Sequence, residues 1–169
     1  MKKYLISMAC AFLAAMALNG CATSKEKAAR KTEQAAKVKA ALAERHYKIV
    51  VNSMADLSEK DEKRSPQLKS NYRLEVRNDS LISFLPQYGY NQILSEAGVG
   101  WRGLILYEPI SSYQEELTKK SKRHIEISVE EEDDTLLFVI EVSDNGNSNI
   151  SVRSLRRERI SYFGNMMLD

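Results

Sequence analysis

The period of hydrophobic and polar positions changes once along this chain, and the change divides it. From Thr23 to Arg45 the chain is dominated by Ala, Lys, Glu and Gln, all strong helix formers. Thr23 and Glu26 stand at capping-box spacing, and Glu26 with Arg30 and Glu33 with Lys37 make i,i+4 pairs in the favourable orientation. The apolar positions of this helix are mostly alanine (Ala28, Ala35, Ala36), with Leu42 and Ala43 near the end, so the stripe it can bury is thin. The pattern predicts a solvated helical spacer. A basic helix lying on anionic headgroups and a partner-binding helix are the alternatives, disfavoured because there is no bulky apolar face to insert.

After Arg45 the period falls to two. Tyr47, Ile49 and Val51 open a first strand, and the polar run from Ala55 to Ser65, followed by Pro66, predicts a long loop. Tyr72, Leu74 and Val76 alternate with charged residues, and Ile82 and Phe84 answer them beyond Asn78-Asp79-Ser80. A three-residue loop through Ser80 pairs Val76 with Ile82 and Leu74 with Phe84 on one face. A two-residue turn at Asn78-Asp79 sets Leu74 opposite Ser83, so burial favours the longer loop. Nearer the C-terminus, Asp144 to Gly146 reads as a three-residue loop that pairs Ile140 with Ile150 and Phe138 with Val152, with Gly146 in the left-handed position. Ile125, Ile127 and Val129 precede this hairpin, and Trp101 to Tyr107 and Arg159 to Phe163 supply two further strands. Seven or eight short strands at hairpin spacing predict a mainly all-β, single antiparallel domain over residues 46–169, a sandwich or a barrel.

The N-terminus carries an address. Lys2 and Lys3 precede an apolar run, Tyr4 to Leu18, too short to span a bilayer comfortably, and small residues then lead into a cysteine. Leu18-Asn19-Gly20-Cys21 resembles the lipobox of bacterial lipoproteins, with Asn19 where Ala or Ser is more usual. The resemblance implies a signal peptide over residues 1–20 and a lipidated Cys21, followed by a basic helical tether over 21–45. Ala22 in place of an Asp behind the cysteine favours the outer membrane, and the domain is expected to face the periplasm.

Composition follows from that address. With residues 1–20 removed, Cys21 is the last cysteine, so the mature chain has no disulfide and no free thiol. The net charge of +2 falls to zero, but unevenly: residues 22–45 carry seven Lys/Arg against three Asp/Glu, and residues 46–169 balance at −4.

Three passages resemble one family. Leu85-Pro86-Gln87-Tyr88-Gly89-Tyr90 is similar to an aromatic segment of domain of unknown function 4251, found in lipoproteins of Bacteroidota. Gly100 to Tyr107 resembles the strand that follows it. Asn145-Gly146 through Ser151-Val152-Arg153-Ser154 to Ile160-Ser161-Tyr162-Phe163-Gly164 resembles the closing hairpin and its Ile-Ser-Tyr-x-Gly end. The resemblance covers residues 46–168, and Gln87, where the family usually has an aromatic, is its clearest departure. It implies a lipoprotein with an all-β domain and transfers no catalytic residue.

Candidate chemistry is sparse. His46 and His124 are the two histidines, both beside basic residues, and alternation puts His124 with Glu126 and Ser128 on the wet face of its strand. No nucleophile elbow, phosphate-cradling loop or zinc-spaced ligand set occurs, and Ser111 and Ser112 sit in no activating motif. Glu130 to Asp134 could attract calcium but lacks the spaced alternation and turn glycine of a calcium loop. Lys119, Lys120, Lys122 and Arg123, and Arg153, Arg156, Arg157 and Arg159, form basic clusters whose first reading is plain solubility; export turns the alternatives away from nucleic acid, towards lipid headgroups, glycans or the acidic run of another copy. Residues 85–107 hold Tyr88, Tyr90, Trp101 and Tyr107, four of the eight Tyr and Trp beyond residue 20, among glycines. Aromatics with a polar tip suit a ligand mouth or an interface, or the rim of a core. The expectation is a non-enzymatic envelope module without metal or cofactor, held to the membrane by Cys21 and binding an envelope protein, lipid or glycan through Tyr88, Tyr90, Trp101 and Tyr107. The alternatives are an envelope-polymer hydrolase using surface carboxylates and a purely structural envelope component.

Overall fold

The computed structural model describes residues 24–56, 68, 71–86, 103–119, 122–131, 134–154 and 159–168. One helix, α1 (Ser24–Ala43), precedes eight strands: β1 (His46–Asp56), β2 (Arg73–Arg77), β3 (Ser80–Leu85), β4 (Leu104–Leu117), β5 (Arg123–Glu131), β6 (Asp134–Val142), β7 (Asn147–Arg153) and β8 (Ile160–Met166). All neighbours pair antiparallel in chain order, and β8 returns to β1, so the sheet is a closed barrel. Of sandwich and barrel, closure selects the barrel. Eight strands leave an interior just wide enough for side chains. Alternate residues such as Ile49, Leu74, Ile127, Phe138 and Ile150 fill it, each with no accessible surface.

β1 makes closure possible because it serves two partners. Its first residues, His46 to Val50, pair with β2, and Ile49 to Asp56 pair with β8 across a bulge between Val51 and Ser53. At the hand-over Gly164 lies opposite Val51, and a Cβ there would come within 2.2 Å of the Val50 carbonyl oxygen. Only a residue without a side chain lets the two backbones approach. This is the glycine of the Ile-Ser-Tyr-x-Gly motif.

β4 is longer than the pattern predicts. Its first half pairs with β3 and its second with β5, across a bulge between Ile110 and Ser112. Pro109 conceals it in the sequence, since proline lacks a ladder donor. It is tolerated because it stands at the hand-over, opposite Ser80 at the start of β3 and just before the β5 ladder begins at Ile110.

The two hairpins read from the sequence came out differently. In β6–β7, Phe138 faces Val152 and Ile140 faces Ile150, and Gly146 has φ +83°, as expected for the three-residue loop. In β2–β3 the turn is the shorter one: Arg77 faces Ser80, Val76 faces Leu81 and Leu74 faces Ser83. The expected pairing of Val76 with Ile82 and Leu74 with Phe84 is therefore corrected. β3 carries apolar residues on both faces, so either register buries a pair. The short turn puts Leu81 and Leu85 inside, and buried Ser83 donates its hydroxyl to the Leu104 carbonyl at 2.9 Å. Asn78 takes the positive φ that asparagine tolerates, and backbone bonds from Asn78 N to Arg45 O and from Ile110 N to Asp79 O hold the turn.

The chain divides into two compact units, Met1–Thr32 and Glu33–Asp169. Within the second the last turns of α1 are not a solvated spacer. Val38 and Leu42, one helical turn apart, are 2 % and 1 % exposed and join the barrel core. Arg45, in a left-handed conformation, turns the chain from α1 into β1, and its guanidinium lies 4.4 Å from the centre of the Tyr113 ring. The buried hydroxyls of Tyr47 and Tyr113 interact with one another. Burial first, and the neighbouring phenol next, push Tyr47 well above the usual phenol value; burial also raises Tyr113. On β8, buried Tyr162 reaches across to donate to the Pro86 carbonyl at 2.6 Å, and burial raises its pKa too.

Two outcomes follow from these packings. Gly164→Ala should lower unfolding free energy by about 1–3 kcal/mol, read by denaturant titration, because the methyl must displace β1 backbone. The three phenols hold their protons more tightly in the folded chain than in the unfolded one. Stability is therefore full below the unfolded phenol value of about 10 and falls as pH rises above it. Circular dichroism from neutral pH into alkali should show a flat stability plateau followed by unfolding concerted with the 295 nm phenolate signal of the buried tyrosines.

Candidate functional site

Barrel closure fixes which side of every strand faces out, and the β2–β3 register sends two large apolar residues to the outside. Ile82 stands opposite Glu75 on one side and Tyr107 on the other; Phe84 stands between Arg73 and Ile105. With Lys48 opposite Glu75 and Val50 opposite Arg73 on β1, two parallel rows cross the outer wall: Lys48, Glu75, Ile82, Tyr107 and Val50, Arg73, Phe84, Ile105. Ile105 and Tyr107 protrude, 66 % and 69 % exposed. The Tyr72 ring stacks on Phe84 with centroids 5.5 Å apart, and the Arg73 guanidinium lies 5.8 Å from the Phe84 centroid.

The polar half of the wall turns on Glu75. Its side chain is nearly buried although it points outwards, because three cations converge on it: Lys48 and Arg73 at 3.6 Å and Arg77 at 2.7 Å. Among the described residues this cluster sets one carboxylate against three cations, a surplus of two positive charges. The cation side chains remain about two-fifths to three-fifths exposed, so that surplus faces solvent beside the apolar rows.

A second feature lies on the outer wall of β4 and β5. Gln114, Glu115, Glu116, His124 and Glu126 line an open cleft of about 230 Å³. His124 Nε2 is 3.3 Å from Glu126, and Arg123 pairs with Glu115 at 3.2 Å. Paired carboxylates act as acid and base when burial sets one apart from the other. The Glu115 side chain is 23 % exposed and paired with Arg123, the Glu126 side chain is 45 % exposed and Glu116 is exposed, so no carboxylate of the cleft is buried. Among the described residues no group of three or more His, Cys, Asp or Glu is gathered to hold a metal ion. Among the basic clusters, Lys122 pairs with Glu141 at 3.1 Å and Arg159 donates to the Ser151 hydroxyl at 3.0 Å.

Of the residues singled out in the sequence, Tyr107 lies on the outer wall. Tyr88, Tyr90, Trp101 and Cys21 fall outside the described residues, as do Lys120, Arg156 and Arg157. Tyr72, Ile82, Phe84, Ile105 and the Glu75 cluster were not singled out. Four apolar residues among the five of Leu81 to Leu85 were the available signal, because a strand with a single buried face cannot turn all four inwards.

The family model for "Domain of unknown function (DUF4251)" matches residues 29–166. The chain belongs to this family. The match begins inside α1, ahead of residue 46, in keeping with the burial of Val38 and Leu42. The fold is similar to the crystal structure of a DUF4251 family protein from Bacteroides eggerthii DSM 20697, with TM-score 0.62 and 11 % identity, over 80 % of this chain and 87 % of that one. No curated protein matches the sequence. Among the described residues no helix is long and apolar enough to cross a membrane.

Glu75→Gln tests the cluster. The neutral amide leaves three cations crowded without their counter-charge, and unfolding free energy should fall by about 1–2 kcal/mol at low salt. The loss should shrink as salt is added, because the remaining repulsion is screened.

Proposed function

We propose that this DUF4251 chain is a lipid-anchored, non-enzymatic binding module of the cell envelope that works through the outer wall of β2, β3 and β4. One observation carries the reading: Ile105 and Tyr107 protrude beside Ile82 and Phe84, on a barrel whose interior is already occupied by its own side chains. Exposed apolar side chains in contiguous rows mark an interaction surface, whereas isolated ones do not. The anchor is lipidated Cys21, which the Leu18-Asn19-Gly20-Cys21 sequence supports, and the membrane is the outer one with the barrel on its periplasmic side. Tyr88, Tyr90 and Trp101 belong to the same reading through the connection between β3 and β4, the two strands that carry the apolar rows.

Two measurements test it. Cys21→Ser should abolish incorporation of radiolabelled palmitate and release the protein from sedimented membranes; labelling that persists removes the anchor from the proposal. A photo-crosslinking amino acid placed at Tyr107 should give adducts in intact cells, whether with protein or lipid, while the same group at Gln114 on the β4–β5 wall gives few. Equal adducts at the two positions, or none at Tyr107, would end the outer-wall assignment.

A further inference from the structure

We infer that the β2–β4 wall docks on an anionic phospholipid surface. The inference rests on the outer-wall reading above and names its partner. Chemistry along the two rows is ordered: each has one cation on its β1–β2 side, Lys48 beside Glu75 in one and Arg73 beside Val50 in the other, and apolar side chains on β3 and β4. Adjacent strands are about 5 Å apart, so a cation and a protruding apolar residue in the same row are separated by roughly 10–15 Å. That is a reach from headgroup phosphates to the upper acyl chains. Ile105 supplies an aliphatic side chain to enter that boundary. Tyr107 supplies a ring with a polar tip, the combination that settles at headgroup level.

Charge complementarity selects the lipid. Lys48, Arg73 and Arg77 share Glu75, so among the described residues the cluster carries two more cations than anions at the solvent side of the wall. Juxtamembrane Lys and Arg are drawn to anionic lipid within a Debye length. The shape argues the same way. A stable protein–protein interface occupies about 800 Å² on each partner, with a packed apolar centre. Two protruding side chains on the convex outside of a barrel make a poor centre of that kind. A fluid surface conforms around them without needing a matching shape, and its binding strength follows buried apolar area plus attraction to anionic lipid.

The test uses the full-length protein reconstituted in vesicles, with a fluorescent amino acid at Tyr107 in one preparation and at Gln114 in another. Acyl-brominated lipids act as quenchers in phosphatidylethanolamine–phosphatidylglycerol vesicles and, separately, in phosphatidylcholine vesicles. Quenching is expected at position 107 in the anionic vesicles, well above that at 114, and should fall in phosphatidylcholine or at high salt. Ile105→Ser, a change at an exposed position that the fold tolerates, should cut the quenching at 107 by about half or more through loss of inserted apolar area. Equal quenching at 107 and 114, or quenching at 107 indifferent to lipid charge and salt, overturns the inference. Absence of quenching at 107 together with protein adducts from the photo-crosslinker there overturns the lipid partner and leaves the outer-wall reading standing. Absence of both overturns the two together.

Discussion

Everything in this barrel depends on the backbone contact between β1 and β8. β1 must leave β2 and join β8 within a few residues, and Gly164 is the place where the second ladder comes close enough to do so. Without that contact the sheet would have two open edges and no obligatory inside. With it, each strand has one face turned to a filled interior, and parity around the ring is fixed. Any apolar residue beyond what the interior holds is then forced outwards.

β3 is where that constraint shows. Leu81 and Leu85 enter the core, Ser83 enters with them and is satisfied by the Leu104 carbonyl, and Ile82 and Phe84 are left outside. The outer wall absorbs Phe84 partly by stacking with Tyr72. Its charged neighbours are arranged so that Glu75, nearly hidden, is held between three cations. A surface that is apolar on β3 and β4 and charged around Glu75 on the strands beside them is thus a direct product of register. In the longer-loop register Ile82 and Phe84 would have turned inwards with Leu74 and Val76, and there would be no such rows.

How far this was legible in the sequence depends on whether the pattern was one-sided. The β6–β7 hairpin was readable because Phe138, Ile140, Ile150 and Val152 alternate with polar residues and a glycine marks the turn. The β2–β3 hairpin was not, because Leu81 and Leu85 are as apolar as Ile82 and Phe84, so burial by itself does not choose between the two registers. The second half of β4 was hidden behind Pro109, whose tolerance depends on a hand-over between partners that no local pattern encodes. Val38 and Leu42 form an i,i+4 pair, too short to register as an amphipathic stripe, yet tertiary packing makes the pair part of the core. For the candidate wall, Tyr107 stood out by type and position; its neighbours stood out only once cross-strand partners were known. The rows belong to four strands, β1 to β4, separated in sequence, and registry between them is a property of closure.

The seating of α1 also has a mechanical meaning. The chain passes from Leu42 into β1 in a few residues, through Arg45 and the bond from Asn78 N to its carbonyl. A pull applied from the N-terminal side reaches Val38 and Leu42 before it reaches any strand of the ladder. Those two side chains are buried in the core cluster, so a pull from that side would meet their packing first. Force arriving from the N-terminal side would therefore be resisted by hydrophobic packing before it reached the hydrogen-bonded ladder of β1.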